Sequence, residues 1–220
     1  MRNKLFIPVL IAGLAAASEA MAQYCELEKL HVSSQGDGVS ADFSSVDTST
    51  CAAGVETTIH VEGSQGLVSQ ADLCGRGSYH IRTVTETQTS VVAVFISVYD
   101  RCVGAELFSI AGTGEAEHFH LSNNFKTASL RATIEAVDNS DNPVPVEIDL
   151  VWSAVGQKDR TVDHDGLHQG IHKYVYTSTG TTRSATASGS VMVDGTDETP
   201  LPSTQGTLER DVFHEFIVYR

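Results

Sequence analysis

Ser90-Val91-Val92-Ala93-Val94-Phe95-Ile96-Ser97-Val98-Tyr99, closed by Asp100-Arg101-Cys102, is the stretch on which the fold turns. A β-branched and aromatic run of this length is too short and too strand-prone for a buried helix, so it predicts a strand covered on both faces. The segments around it read as further strands layered on this one.

Toward the C-terminus, Ala128, Leu130, Ala132, Ile134 and Ala136 alternate with Ser129, Arg131, Thr133 and Glu135, which is one buried face and one wet face. Asp138-Asn139-Ser140-Asp141-Asn142-Pro143 is a turn signal. The next strand sets Val144, Val146, Ile148, Leu150 and the sole tryptophan, Trp152, opposite Glu147 and Asp149, which places Trp152 in the core. Residues 156–170 are polar without a period and predict a long loop. His172–Thr177, Arg183–Val193 and Asp211–Tyr219 supply three more strands, with a turn at Ser178–Thr181 and a loop from Asp194 to Gly206. Ala185, Ala187 and Gly189 on one face predict a close approach of the opposing layer.

Toward the N-terminus, Glu28–Ser33, Val39–Phe43 and Val55–Val61 read as strands separated by turns at Gln35–Gly38 and Gly63–Gly66. Leu67–Gly77 reads as a tied-down loop with a helical turn over Ser69–Leu73. Tyr79–Thr89, carrying His80, Arg82 and Glu86, suits an edge strand, and Glu106–Gly112 adds another. Together these predict an all-β fold, an antiparallel two-sheet β-sandwich of about ten or eleven strands. A membrane barrel asks for longer alternating strands and aromatic girdles than a chain with 7% aromatic residues offers.

Residues 1–22 have the plan of a signal peptide: Arg2 and Lys4, an apolar stretch from Leu5 to Ala17, and Ala20-Met21-Ala22 before the cut. The mature chain then spans 23–220 as one sandwich, within which 23–78 is a candidate disulfide-tied subregion. The full chain has 14 basic and 28 acidic residues, and removing Arg2, Lys4 and Glu19 leaves 12 and 27, a net charge of −15. That balance excludes nucleic acid and anionic membrane surfaces as expected partners, since both need clustered Lys and Arg. The expectation is a secreted or periplasmic protein, not inserted in a membrane, whose partner is an extracellular protein or glycan.

Cys25, Cys51, Cys74 and Cys102 all follow the cleavage point, and an even count in an exported chain reads as two disulfides. Three pairings are open. Short loops favour Cys25 with Cys51 and Cys74 with Cys102, each stabilising by about 3 kcal/mol. A zinc site is the rival use, but no two cysteines have the close C-x₂₋₄-C spacing that such sites favour.

Val151-Trp152-Ser153-Ala154-Val155-Gly156, Arg183-Ser184-Ala185-Thr186-Ala187-Ser188-Gly189 with Asp194-Gly195-Thr196, and Ser97-Val98-Tyr99-Asp100-Arg101-Cys102 together resemble a loose group of exported bacterial all-β proteins of unknown function. The resemblance covers residues 90–200. It implies no activity and assigns no functional residue.

The sharpest chemical feature is Asp163-His164-Asp165-Gly166-Leu167-His168-Gln169-Gly170-Ile171-His172. Imidazoles this dense suit Zn²⁺, Cu²⁺ or Ni²⁺, and on a helix His164, His168 and His172 would share one face at i, i+4 steps, with Asp163 or Asp165 adding a carboxylate. Gly166 and Gly170 oppose that helix, which leaves a loop. His118 and His120 flank Phe119 and share a face if the segment is a strand. Asp138–Asn142, Asp163–Gly166 and Asp194–Glu198 lack the full ligand order of a calcium loop. No G-x-S-x-G elbow, H-E-x-x-H pair or phosphate-binding glycine loop occurs. The expected function is a non-catalytic binding or structural role outside the cytoplasm with no cofactor. The alternative is a metal-binding protein or metal-assisted hydrolase using His164, His168, His172, Asp163 and Asp165.

Overall fold

The computed structural model describes residues 28–74, 80–170, 172–197 and 205–219. Residues 1–22, the expected signal peptide, and Cys25 lie outside them. The described residues form eleven strands and no helix: β1 (Glu28–Asp47), β2 (Val55–Cys74), β3 (His80–Asp100), β4 (Ala105–Gly114), β5 (His118–Leu121), β6 (Thr127–Asp138), β7 (Pro143–Ala154), β8 (Asp159–Gln169), β9 (His172–Val193), β10 (Thr196–Asp197) and β11 (Gln205–Tyr219). No helix among the described residues is long and apolar enough to cross a membrane.

All pairings are antiparallel and belong to one sheet, whose path returns on itself: β9, β11, β1, β2, β3, β4, β6, β7 and back to β9. The seam between β4 and β6 is narrow, with only Ile110 opposite Asp138 and Ala111 opposite Val137. Gly112 makes it possible, since a Cβ there would come within 2.6 Å of the Ala136 Cβ. At the other closure, Ala185 of β9 faces both Ala154 of β7 and Gly206 of β11, so one strand passes from one neighbour to the next.

Strict alternation fills this ring. Val39, Ala41 and Phe43, then Ile59 and Val61, Val92, Val94 and Ile96, and the inward residues of β6 and β7 make one buried cluster around Trp152. At roughly 1.5–3 kcal/mol for each large apolar side chain fully removed from water, this cluster dominates the stability. The Trp152 indole N–H donates to the Ser40 carbonyl at 2.6 Å, so its one polar atom is satisfied inside the core.

Above the ring the long strands continue as an open sheet in the order β8-β9-β11-β1-β2-β3. It comprises the first half of β1, β9 and β3, the second half of β2 and β11, and all of β8. Among its described residues beyond the layer of Asp37 and Arg210 only Val218 is buried, so both faces meet solvent.

The structure corrects several expectations. The run at 90–99 is covered on one face only: Val92, Val94 and Ile96 are buried, whereas Val91 and Phe95 are 50% and 46% exposed. Continuous β-branching masked an ordinary alternation. The turns expected at 35–38, 63–66 and 178–181 and the loop and helical turn at 67–74 are uninterrupted strand, and 159–169 is a strand rather than a loop. Gly36, Gly66 and Gly180 lie in one cross-strand row where ring becomes sheet, and there they belong to continuous paired strands and do not form turns. The neighbour pairing of the cysteines is also wrong, because Cys51 is joined to Cys102. Val55 pairs with Asp100, so the β1–β2 and β3–β4 turns meet at one end of the meander, and the Arg101 N–H donates to the Gly54 carbonyl at 3.0 Å. Cys74 is disulfide-bonded as well.

Candidate functional site

The open sheet carries most of the chemistry that the core does not use. Following the inward parity of the ring, one face presents His31, Ser33 and Gln35 of β1, Val212, His214 and Phe216 of β11, Thr177 of β9 and His164 of β8. His31 and His214 stack with ring centroids 5.9 Å apart, and Phe216 lies tilted beside His31 at 6.5 Å. The Lys29 ammonium sits 5.3 Å from the Phe216 ring centre, and His164 Nδ1 lies 3.0 Å from the Thr177 hydroxyl. This is a surface of ring faces and exposed hydrogen-bonding groups.

The opposite face carries Leu30, Val32, Tyr174, Tyr176, Phe213 and Ile217 in neighbouring positions. Tyr176 and Phe213 meet edge to face at 5.0 Å. Loss of solvent, then the Glu215 carboxylate, push the Tyr174 hydroxyl above its usual range. Glu215 lies within this half-buried band, between Val32 and Tyr176, and Asp163 and Asp165 of β8 border it.

The junction between ring and sheet is held by a buried ion pair. Arg210 donates from Nε and Nη2 to the two oxygens of Asp37 at 2.5 and 2.8 Å, and Gln35 Nε2 adds a donor at 3.2 Å. The guanidinium also lies 5.2 Å over the Phe125 ring, whose backbone has a φ of 57°.

The predicted metal residues are dispersed by strand geometry. In β8, His164 and His168 project to one face with Gly166 between them, and Asp163 and Asp165 to the other. Four residues of extended chain separate the two imidazoles by about 13 Å, too far for one ion. His172 lies opposite Gln169 at the end of the hairpin, and its side chain is outside the described residues. Among the described residues the group with metal-ligating spacing is Cys51, Asp100 and Cys102, but its two sulfurs are bonded to each other and offer no thiolate. His118 and His120 do share an exposed face of β5, and His118 Nε2 lies 3.1 Å from the Ser129 hydroxyl. Asp138 is a turn residue: its carboxylate accepts from the backbone of Ser140 and from Asn142, and these bonds, the Asn142 side chain first, hold its pKa below the ordinary value.

Reading residues singly missed His60. On the outside of the ring its Nδ1 lies 2.6 Å from Asp42 and its Nε2 3.0 Å from Glu62, beside a pocket of about 420 Å³ lined by Phe43, Ser44, Thr58 and Gln205. Burial opposes its charge, but the two carboxylates prevail and its pKa is raised. With both nitrogens occupied it has no lone pair to activate a nucleophile. In comparisons with protein-family models, curated proteins and solved structures, nothing matches this chain. The signal that could have found this group was the i, i+2 spacing of His60 and Glu62 on the wet face of a strand.

Proposed function

We propose that this chain is an exported binding or structural protein without catalytic chemistry, and that its open sheet is the part that meets a partner, an extracellular protein or glycan. One observation carries the reading: strands long enough to close a core continue past it into a sheet with both faces and both edge strands in solvent. Extended strands gain their main stabilisation by burying a face, so a sheet that leaves both faces accessible is better suited to contact than to core building. In the same reading the ring acts as two packed walls. Leu130 of β6 abuts Gly63 of β2, and Trp152 of β7 reaches Ser40 of β1, which is the layered arrangement expected of a sandwich. The Cys51–Cys102 disulfide fits an oxidising compartment.

The test is retention of envelope or culture components on immobilised mature protein. Tyr174→Ser with Phe213→Ser on the sheet should abolish a specific retention that Arg131→Ala on the ring surface preserves. Equal retention by all three proteins overturns the reading. The metal alternative would have to work with His164 and His168 set about 13 Å apart along β8. It requires one equivalent of Zn or Cu that survives dialysis and is lost in His168→Ala.

A further inference from the structure

Among the described residues the open sheet ends in two strands with one unpaired side each. β8 bonds only to β9, and all of its residues are exposed. Residues 84–89 of β3 are exposed, and pairing with β4 begins only at Val92. A long unpaired edge is a template for another strand unless charge, proline or a bulge guards it. The exposed span of β3 reads Val84-Thr85-Glu86-Thr87-Gln88-Thr89, with one charge and no proline.

We infer that the partner of this sheet is a second copy of the same chain, joined head to tail by β8 of one molecule pairing with the free edge of β3 in the next. The inference rests on the reading that the open sheet is the contact surface. Strand polarity supports it. Across the order β8-β9-β11-β1-β2-β3 each pairing is antiparallel, so with six strands β8 and β3 run in opposite directions. A copy shifted sideways, without inversion, therefore presents β3 antiparallel to β8, and the alternation continues across the joint.

The side chains support it as well. Continuing both faces requires even-numbered residues of β8 opposite even-numbered residues of β3. One cross-strand row within a molecule runs His164, Thr177, His214, Ser33, Ser69, Glu86. Extending that row into the next copy sets His164 opposite Glu86. It also sets Asp163 opposite Thr87 and Asp165 opposite Thr85, so imidazole N–H meets carboxylate on one face and hydroxyls donate to carboxylates on the other. The two joined surfaces differ, so the contact is heterologous and does not close at a dimer.

Sedimentation velocity on the mature protein over a concentration series tests this. Wild type should show dimer, trimer and larger species growing with concentration. Thr85→Glu with Thr87→Glu sets carboxylates against Asp165 and Asp163 and should weaken association by at least about tenfold. Mixing that variant with Asp163→Lys/Asp165→Lys should restore it through opposite charges. Wild type that stays monomeric, a series that stops at dimers, or association indifferent to both variants overturns the inference. A monomer that still retains an envelope partner through Tyr174 and Phe213 would overturn self-association alone, leaving the contact role of the sheet in place.

Discussion

Arg210 and Asp37 face each other across β11 and β1, joined by two side-by-side hydrogen bonds at the level where the closed ring opens into a sheet. Asp37 is the one buried charged residue among the described residues, at 8% exposure. Removing its partner leaves a carboxylate in a half-dry site. Arg210→Ala should destabilise by about 3–5 kcal/mol, most of it the cost of the uncompensated charge. Chemical denaturation of Arg210→Ala beside Arg210→Met/Asp37→Leu checks the cause, since the apolar pair should recover most of the loss.

Trp152 is fully buried and its indole satisfies the Ser40 carbonyl. Trp152→Phe retains most of the apolar surface but loses that hydrogen bond, so it should cost about 1–3 kcal/mol, while Trp152→Ala should cost about 3–5 kcal/mol through the cavity. Equal denaturation midpoints for the two variants would contradict this.

The Cys51–Cys102 disulfide spans a sequence separation of 51 and ties the turns at one end of the ring. Chain-entropy scaling gives about 4 kcal/mol for a loop of that length. Cys51→Ala/Cys102→Ala should lose a stability of that order. Peptide mapping without reductant should recover Cys51 with Cys102, and a Cys74–Cys102 peptide would contradict the fold.

His60 binds its proton more tightly in the folded chain than in the unfolded one, because Asp42 and Glu62 outweigh the burial that opposes its charge. Its contribution to stability is therefore complete below the unfolded value of about 6.5 and is lost as pH rises through the higher folded value. The wild-type melting temperature should fall more than that of His60→Asn between about pH 6 and about pH 9. Parallel curves for the two proteins would remove the effect.

Where each strand had one wet and one dry face, period-two reading placed residues correctly: Leu130, Ile134, Ile148, Leu150 and Trp152 are all buried as expected. It failed where neither face is dry. Asp159–Gln169 is polar on both sides, so β8 shows no alternation and passes for a loop. Gly36, Gly66 and Gly180 were misleading because a glycine inside a long strand and one in a tight turn look alike until strand pairing is known. His31, His164 and His214 are far apart in sequence and share a face only through the β1–β11–β9–β8 register, which no local pattern encodes. The same holds for Cys51 and Cys102, whose turns meet only after β2 pairs with β3.

Amide hydrogen exchange on dilute protein spanning residues 23–220 tests the division into a packed ring and an open sheet most directly. The slowest amides should lie in 59–63, 92–96 and 146–152, while 84–89 and 159–169 should exchange orders of magnitude faster, because among the described residues each has an unpaired side and no buried residue. Protection of those two edge segments equal to that of 92–96 would contradict the account.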